Sequence, residues 1–285
     1  MQTGYYGATG GMVTQFNRLD VVTNNLANLN TTGYKRDDVV IGDFLRMVQG
    51  HQETLPIPDE TKAAAKFLNR ALTRVPVIAE SYTDHTTGAM EATENDLDFA
   101  LKSPNVFFAI QTPNGVAYTR NGSFSINDEG YLVTKEGLPV LSRDGLDNGG
   151  GILIPPGMQI GADADGNLSF KELSNEGLGE GVGGGALALV SFDNPKFLKK
   201  VGQSLYVEER QEENNTGAEG LAGMQPLYNS GALAQGFLEK SNVNAVLEMS
   251  GMIETNRLVD MYSRVMRAHM DELNSEAINK LAARA

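Results

Sequence analysis

Several residue types are missing or scarce in this chain, and each absence excludes a kind of protein. The 285 residues include no cysteine, no tryptophan and only three histidines. Without cysteine, the chain has no disulfide framework and no thiolate metal site. No apolar run approaches the roughly 18 residues of a membrane-spanning helix. The N-terminus lacks the basic and apolar segments of a cleaved secretory signal, so we expect any export to use another route.

Acidic residues outnumber basic ones, and the excess lies in the middle of the chain. The formal net charge is −13. Residues 1–36 carry one acid and three bases, and residues 241–285 carry six acids and five bases. A nucleic-acid-binding protein needs a basic surface, so this distribution argues against nucleic acid as a partner. The acidic middle predicts a well-solvated surface.

Apolar residues recur at helical spacing near both ends of the chain. In residues 12–29 they recur every three or four positions, which predicts an amphipathic helix. Gly33 follows, where a left-handed residue would end that helix. Residues 242–283 predict a second helix of about 60 Å, and its apolar residues spread around more than one face. The simplest way to bury both helices is to pack them against each other.

The middle of the chain predicts β structure. Short aromatic and β-branched runs alternate with turn-forming residues, as in "NVFFAIQTPNGVAYTRNGSFSIN", which is typical of an antiparallel meander in a small barrel or sandwich. The predicted fold class is therefore α+β, with paired, coiled-coil-like terminal helices and a central antiparallel β-rich domain. The chain is predicted to divide into four parts. An N-terminal helical part spans 1–36, and an extended connector spans 37–73. A β-rich outer domain spans 74–228, and residues 229–285 are a connector and the C-terminal helix, which complete the helical domain.

Three patterns resemble known sites but lack the context that those sites need. Gly179, Gly181 and Gly184 have the spacing of a dinucleotide fingerprint, but a strand-like run follows where a helix is required. The segment "DADGN" at 163–167 resembles a calcium loop, although its glycine comes too early, and a β-turn is simpler. The three histidines have no ligand-like spacing. We therefore predict no catalytic residue, no cofactor and no metal, and a protein that is not an enzyme.

Three segments of the chain resemble a single protein family. They are "NNLANLNTTGYKR" at 24–36, a segment containing "YTRNGSF" at 95–141, and "GALAQGFLEKSNVNAVLEMSGMIETNR" at 231–257. In this order they resemble the bacterial flagellar rod and hook proteins. The N-terminal signature of that family is a helix that ends in an asparagine-rich segment and a Thr-Gly-Tyr/Phe-Lys/Arg turn.

The resemblance implies a structural subunit of the flagellar basal body. Such proteins combine an inner helical domain, an extended connector and an outer β domain. They are exported unfolded, without a cleaved signal, and polymerise helically into a hollow shaft across the periplasm that transmits torque and conducts later subunits. The implied partners are other copies, other rod and hook proteins and the export apparatus. The opening "MQTGYYGATGG" and the connector "HQETLPIPDETKAAAKFLNRAL" favour a proximal rod protein, with a distal rod or hook-type protein as the alternative.

A helical polymer needs an assembly surface, and the terminal helices are the predicted place for it. Leu26 and Leu29 would supply an apolar seam, and the side-chain amides of nearby asparagines would pair with neighbouring subunits. The predicted interface comprises Phe16, Leu19, Val22, Asn24, Asn25, Leu26, Asn28, Leu29, Val243, Val246, Met249, Ile253, Met261 and Val265. Asn30 and Gly33 form the predicted helix-terminating turn, in which Asn30 caps the helix end.

Two other functions remain open at this stage. The β region could serve an enzyme or a small-ligand binder, or the chain could be a surface adhesin with a helical stalk. Lengthwise packing of the two terminal helices distinguishes the assembly subunit from both. The sequence also predicts that the β region folds without the helices, as a protease-resistant core near residues 75–228.

Overall fold

The computed structural model describes most of the chain. The described residues are 2–43, 76–146, 149–172, 182–202, 204–208, 224–228 and 231–282. Most of the predicted connector, including "AAAKFLNRAL", and the glycines Gly179 and Gly181 lie outside them. The chain divides into two compact units. Unit one comprises Met1–Ala27, Asp37–Tyr82 and Asn244–Ala285, and unit two comprises Asn28–Arg36 and Thr83–Val243.

Unit one contains the two long helices of the described residues. Helix α1 spans Gln2–Ala27, and α2 spans Ala245–Ala282. At 1.5 Å per residue, the second helix is about 57 Å long. The helices contact each other in antiparallel order, because Thr9 hydrogen-bonds to the Met266 sulfur at 3.5 Å and Asn25 to the Glu248 carboxylate at 3.5 Å.

Glycine lets the helices of unit one approach closely. A Cβ atom built at Gly11 would lie 2.5 Å from the ring of Tyr262, so only a residue without a side chain fits there as the ring now stands. The same unit contains a two-stranded sheet of β1 (Asp37–Asp43) and β2 (Pro76–Thr83). The Thr14 hydroxyl on α1 donates to the Pro76 carbonyl at 2.9 Å, which ties this sheet to the helix.

Unit two contains the remaining strands. These are β3 Met90–Ala92, β4 Phe99–Leu101, β5 Val106–Thr112, β6 Gly115–Thr119, β7 Phe124–Ile126, β8 Leu132–Thr134, β9 Met158–Ala162, β10 Asn167–Glu172, β11 Val182–Ala186, β12 Leu189–Phe192, β13 Leu198–Val201, β14 Leu205–Glu208, β15 Met224–Pro226, β16 Leu233–Gln235 and β17 Phe237–Glu239. A 3-10 turn, Pro195–Phe197, precedes β13.

The largest sheet of unit two has six antiparallel strands in the order β13-β14-β6-β5-β12-β15. This order is not the simple meander that the sequence predicts, because β14 pairs with β6 and β12 pairs with β5 across long stretches of chain. A three-stranded sheet, β11-β10-β9, does follow the chain order. Three two-stranded sheets complete the unit, and they pair β16 with β4, β17 with β3 and β7 with β8.

Strand β5 lies at the centre of the core. Its first five residues, "VFFAI", include no polar residue, and all five side chains are buried. Alternate residues point to opposite faces of a strand, so Val106, Phe108 and Ile110 join one apolar cluster, whereas Phe107 and Ala109 join a second. A strand that is buried on both faces reads as a continuous apolar run, which explains this sequence.

The α+β class and the β-rich centre agree with the sequence-based prediction, but the grouping of residues differs in three places. Residues 76–82 were predicted to belong to the outer domain and fall in unit one, where β2 pairs with β1. Residues 28–36 and 229–243 were predicted to belong to the helical domain, and both fall in unit two. The physical reason is hydrogen bonding: the Gly33 amide donates to the Glu239 carbonyl at 2.8 Å, and the Lys240 amide donates to Ala89 at 2.8 Å. Both segments are therefore bonded into unit two.

Candidate assembly surface and a buried junction

Helix α2 carries large apolar side chains that its own unit leaves exposed. Val246 is 75% exposed, and Met249 and Ile253 are each 54% exposed. Spacings of three and four residues place these three side chains on one face of the helix. Glu248 and Thr255 are buried instead, so the exposed face differs from the buried one.

A second exposed stripe lies further along α2. Met261 and Val265, four residues apart, are 49% and 39% exposed, and Leu247 lies on the same side of the helix. On α1, Phe16 is also exposed. Unit one therefore presents apolar surface on two sides of α2. Burial of a large apolar side chain is worth about 1.5–3 kcal/mol, so such surface favours association.

The residues of the predicted interface fall into three groups. Phe16, Asn24, Val246, Met249, Ile253, Met261 and Val265 are exposed. Leu19, Leu26 and Leu29 are partly buried. Val22, Asn25, Asn28 and Val243 are buried within the chain.

Two asparagines of the predicted interface have partners inside the chain. The Asn25 amide nitrogen donates to the Asp37 carbonyl at 2.8 Å, and its oxygen accepts the Asp37 amide at 3.0 Å. The Asn28 oxygen accepts the Thr31 hydroxyl at 3.1 Å. We therefore correct the expectation that Asn25 and Asn28 pair with neighbouring subunits. Their amides fix the chain where it leaves α1, whereas Asn24 is exposed.

The predicted helix-terminating turn also differs from expectation. Helix α1 ends at Ala27, and the Thr31 amide closes the following turn on the Asn28 carbonyl at 3.2 Å. Asn30 is exposed on this turn. Gly33 does have a left-handed φ of +68°, but it lies too far from Ala27 to end the helix.

Gly33 serves a close approach between two segments of unit two. A Cβ atom at this position would lie 2.5 Å from the Arg120 carbonyl carbon and 2.5 Å from the Asn121 nitrogen. These are backbone atoms, which cannot swing aside as a side chain can. Glycine is therefore required both by the backbone conformation and by the space.

The three signature segments meet at a buried ionic network of Lys35, Arg120 and Glu239. All three side chains are fully buried. One oxygen of the Glu239 carboxylate accepts the Lys35 ammonium at 2.6 Å, and the other accepts Arg120 nitrogens at 2.7 and 2.9 Å. The Gly88 amide also donates to the first oxygen, at 2.8 Å. One carboxylate thus binds two cations and a backbone amide.

Backbone carbonyls accept further hydrogen bonds from the two cations. Lys35 donates to Thr86 at 2.6 Å, and the Arg120 guanidinium donates to Leu101, Ser103 and Val106. Burial lowers the pKa of Lys35 from its ordinary value, and the adjacent Glu239 carboxylate opposes that shift. Burial likewise lowers the pKa of Arg120, again opposed by Glu239. Such a network is stable only with every partner present.

Asn242 adds a second set of contacts beside the network. Its oxygen accepts the Arg36 amide at 2.7 Å, and its nitrogen donates to the Asp84 carbonyl at 2.8 Å. The family resemblance covers the segments that contain Lys35, Arg120 and Glu239, but it did not predict the network that joins them. No local pattern in those segments indicates it, because each of them contains other charged residues as well.

The sites that the sequence analysis set aside have structural explanations where the structure describes them. The Asp163 carboxylate accepts the side-chain amide of Asn167 at 2.8 Å and the backbone amides of Asp165 and Asn167. The Asn167 side chain in particular lowers the pKa of Asp163. His85 is buried between the rings of Phe107 and Tyr206. Among the described residues, no group of three or more acidic or histidine side chains is placed to bind a metal ion.

Long terminal helices with exposed apolar faces, joined to a β-rich unit, characterise a protein that assembles with others. No helix among the described residues combines the length and the apolarity needed to cross a membrane.

Three family models match the chain. They are the flagella basal body rod protein at residues 6–35, the flagellar hook protein FlgE/F/G D1 domain at 104–170, and the flagellar basal body rod FlgEFG protein C-terminal region at 234–280.

Curated relatives match over nearly the whole chain. The flagellar basal-body rod protein FlgG of Bacillus subtilis is 32% identical over 98% of this chain and 99% of its own length. FlgF proteins of Mesorhizobium japonicum and Caulobacter vibrioides are 31% and 30% identical, and they cover 100% and 99% of this chain and 100% and 98% of their own lengths. The chain belongs to the flagellar basal-body rod protein family, whose members are structural subunits of the rod.

Proposed function

We propose that the chain polymerises helically into the hollow axial shaft of the flagellar basal body, which transmits torque and conducts exported subunits. The observation that supports this proposal is the exposed apolar surface of α2 around Val246, Met249 and Ile253. In an open helical polymer, one patch of each subunit meets a different patch of the next, so apolar surface on two sides of one helix suits the geometry. Partners would be other copies and other rod and hook proteins.

Each buried apolar side chain would contribute a repeated free energy. Complete burial of Val246, Met249 or Ile253 is worth about 1.5–3 kcal/mol each. Association costs about 4–15 kcal/mol in lost translational and rotational freedom. These side chains are already partly buried, so each gains only part of that free energy, and a single stripe contributes less than or about as much as the cost of association. Contact through both stripes brings the gain into the same range as that cost. Assembly would then be cooperative along the rod.

The same proposal includes the domain roles. Residues 1–27 and 244–285, the parts of the predicted helical segments 1–36 and 229–285 that belong to unit one, would contribute to an inner helical domain with coiled-coil-like pairing of α1 and α2. Residues 37–73 would contribute to the connector, and unit two to the outer domain predicted at 74–228. The antiparallel contacts between α1 and α2 support the pairing. The predicted interface residues that remain exposed or partly buried are the proposed assembly surface, and Val22, Asn25, Asn28 and Val243 are internal instead.

Within the rod, we place the chain in the proximal part, with the distal rod or a hook-type axial position as the alternative. The relatives do not separate these positions, because FlgG and FlgF relatives are similarly identical to the chain, at 32% and 31%. Support comes from the opening "MQTGYYGATGG" and the connector "HQETLPIPDETKAAAKFLNRAL", which favour a proximal rod protein. The proposed location is the rod across the periplasm, reached through the flagellar export apparatus.

Electron cryotomography of basal bodies from cells that lack the gene tests this proposal. A proximal subunit predicts that no rod extends outward from the base. A distal subunit predicts a short proximal rod that stops before the hook. Expression of the chain from a plasmid restores the rod in either case. A complete rod and hook in the deleted cells would contradict the proposed function.

A further inference from the structure

The network of Lys35, Arg120 and Glu239 is buried and is therefore not part of the assembly surface, so its role is a separate one. Its members lie far apart in sequence: Glu239 is 204 residues from Lys35 and 119 residues from Arg120. A fully buried charge is costly unless it is paired. Apolar residues could fill these positions in an ordinary core. The three charges instead make the contact depend on all three side chains being in place at once.

The contacts of the segment 239–242 converge on two other segments. Glu239 holds the turn 31–36 through its carboxylate on Lys35 and its carbonyl on the Gly33 amide, at 2.6 and 2.8 Å. It holds the segment 84–89 through the Gly88 amide at 2.8 Å. Asn242 repeats the pattern, because its amide group bonds both segments. The short stretch that begins at the last residue of β17 thus bonds the two segments within unit two.

The charges make this contact all-or-none. Lys35 and Arg120 carry two positive charges, and Glu239 supplies the carboxylate that contacts both. Before Glu239 is in place, burial of Lys35 and Arg120 would leave two cations in a low-dielectric site, so water-exposed conformations of the turn are favoured. Once Glu239 arrives, all three charges are buried together.

We propose that Glu239 and Asn242 form a latch that locks the turn 31–36 and the segment 84–89 only when the end of the β-rich region has folded into place. Residues 31–36 follow α1, and residues 239–242 precede α2, so the latch joins the first segment of unit two to the last. The N-terminal turn therefore stays open until nearly the whole chain is available. This inference does not depend on the position of the chain in the rod.

Hydrogen exchange of the full-length protein, read by mass spectrometry, tests the latch. The variant is Glu239→Gln, which keeps the shape and removes the charge. The matched control is Glu91→Gln on the paired strand β3, where the carboxylate is exposed and bonds Lys240 at the surface. We expect exchange in 31–36 and 84–89 to rise at least about tenfold in Glu239→Gln. We expect no change there in Glu91→Gln, and no change at β9 and β10 in either variant.

Two outcomes would overturn the latch. Unchanged exchange in 31–36 would show that the carboxylate does not lock the turn. A uniform rise that includes β9 and β10 would show that Glu239 supports the whole unit instead of a local lock. If Glu239→Gln does not fold, Asn242→Ala decides, because its side chain is only partly buried and carries no charge. The latch predicts the same selective rise in the same two segments, and unchanged exchange there contradicts it.

Discussion

Gly33 is required both by its left-handed backbone and by the close approach of other backbone atoms, and an experiment can separate the two effects. Gly137 has a similar left-handed backbone, with φ of +80° against +68°, but it has open space around its Cα, whereas Gly33 abuts the Arg120 backbone. We expect Gly137→Ala to cost about 1–2 kcal/mol from backbone strain alone. Gly33→Ala should cost at least about 1–3 kcal/mol more, from overlap with backbone atoms. Urea unfolding followed by circular dichroism measures both, and equal losses would show that the close approach is unimportant.

Tyr118 predicts a loss of stability in alkaline solution. Burial, followed by the nearby Glu208, raises the pKa of Tyr118 from 10.0 to about 12. Between these values the unfolded chain has lost the phenolic proton and the folded chain has kept it, so the free energy of unfolding falls as pH rises. The stabilisation is complete below pH 10, and its loss amounts to about 2–3 kcal/mol at about 1.36 kcal/mol per pKa unit.

The variant Tyr118→Phe isolates this contribution. The pKa of Lys35, which burial lowers, acts in the opposite direction, but it is present in both proteins and cancels in the comparison. We expect the wild type to lose more unfolding free energy than Tyr118→Phe between pH 10 and pH 12. Parallel pH dependence in the two proteins would contradict the assignment.

Single residues also show where sequence reasoning reaches its limit. The left-handed conformation of Gly33 is confirmed, because a local turn motif demands it. The pairing of Lys35 with Glu239 was not predictable, because no local pattern relates two charges that are 204 residues apart. The internal use of Asn25 was missed for a similar reason: its partner Asp37 lies beyond the helix and beyond a turn.

Among the elements, α1 is longer than predicted at its start and shorter at its end. The sequence predicts a helix over residues 12–29, and the structure has Gln2–Ala27. The first turns contain Gly4, Gly7 and Gly10, and glycine costs about 1 kcal/mol per residue in a helix. Packing against α2 overrides this propensity. Sequence propensity alone therefore could not predict the beginning of the helix.

The helix pair offers a matched test of this close packing. Gly251→Ala should raise stability by about 0.5–1 kcal/mol, because the new Cβ would lie 4.0 Å from Val22 and the helix gains propensity. Gly11→Ala gains the same propensity but must displace the Tyr262 ring, so we expect a net loss. Helix content at 222 nm across a urea titration gives both values. Equal stabilisation by the two variants would show that the ring moves without cost.

Some strand pairings follow from local turn residues, whereas others depend on residues that are distant in the sequence. The hairpin of β5 and β6 turns near Gly115, and the hairpin of β7 and β8 turns at residues 127–130, as the turn residues predict. The pairing of β14 with β6 and of β12 with β5 creates the six-stranded sheet. Those pairings depend on side-chain packing across the core, which local patterns in a single sequence do not indicate.

At the scale of the molecule, the β-rich region extends beyond its predicted limits. The sequence predicts an autonomous core near residues 75–228, which lacks both Lys35 and Glu239. Arg120 would then be buried without its carboxylate partner. We expect the fragment 75–228 to melt well below the fragment 28–243, or to be unfolded, as measured by circular dichroism. Equal melting temperatures would show that the terminal segments of unit two are dispensable.

The central claim is that the exposed face of α2 is an assembly interface of a rod subunit. Ile253→Asp tests it most directly, because it puts a charge on a side chain that is 54% exposed and leaves the buried face of α2 unchanged. Ile253→Leu is the matched control, because it keeps an apolar side chain of similar volume. Circular dichroism of both purified variants should match the wild type. In electron cryotomograms of cells that express each variant, we predict normal rods with Ile253→Leu and no rod or hook with Ile253→Asp. Intact rods containing the Ile253→Asp protein would contradict the account.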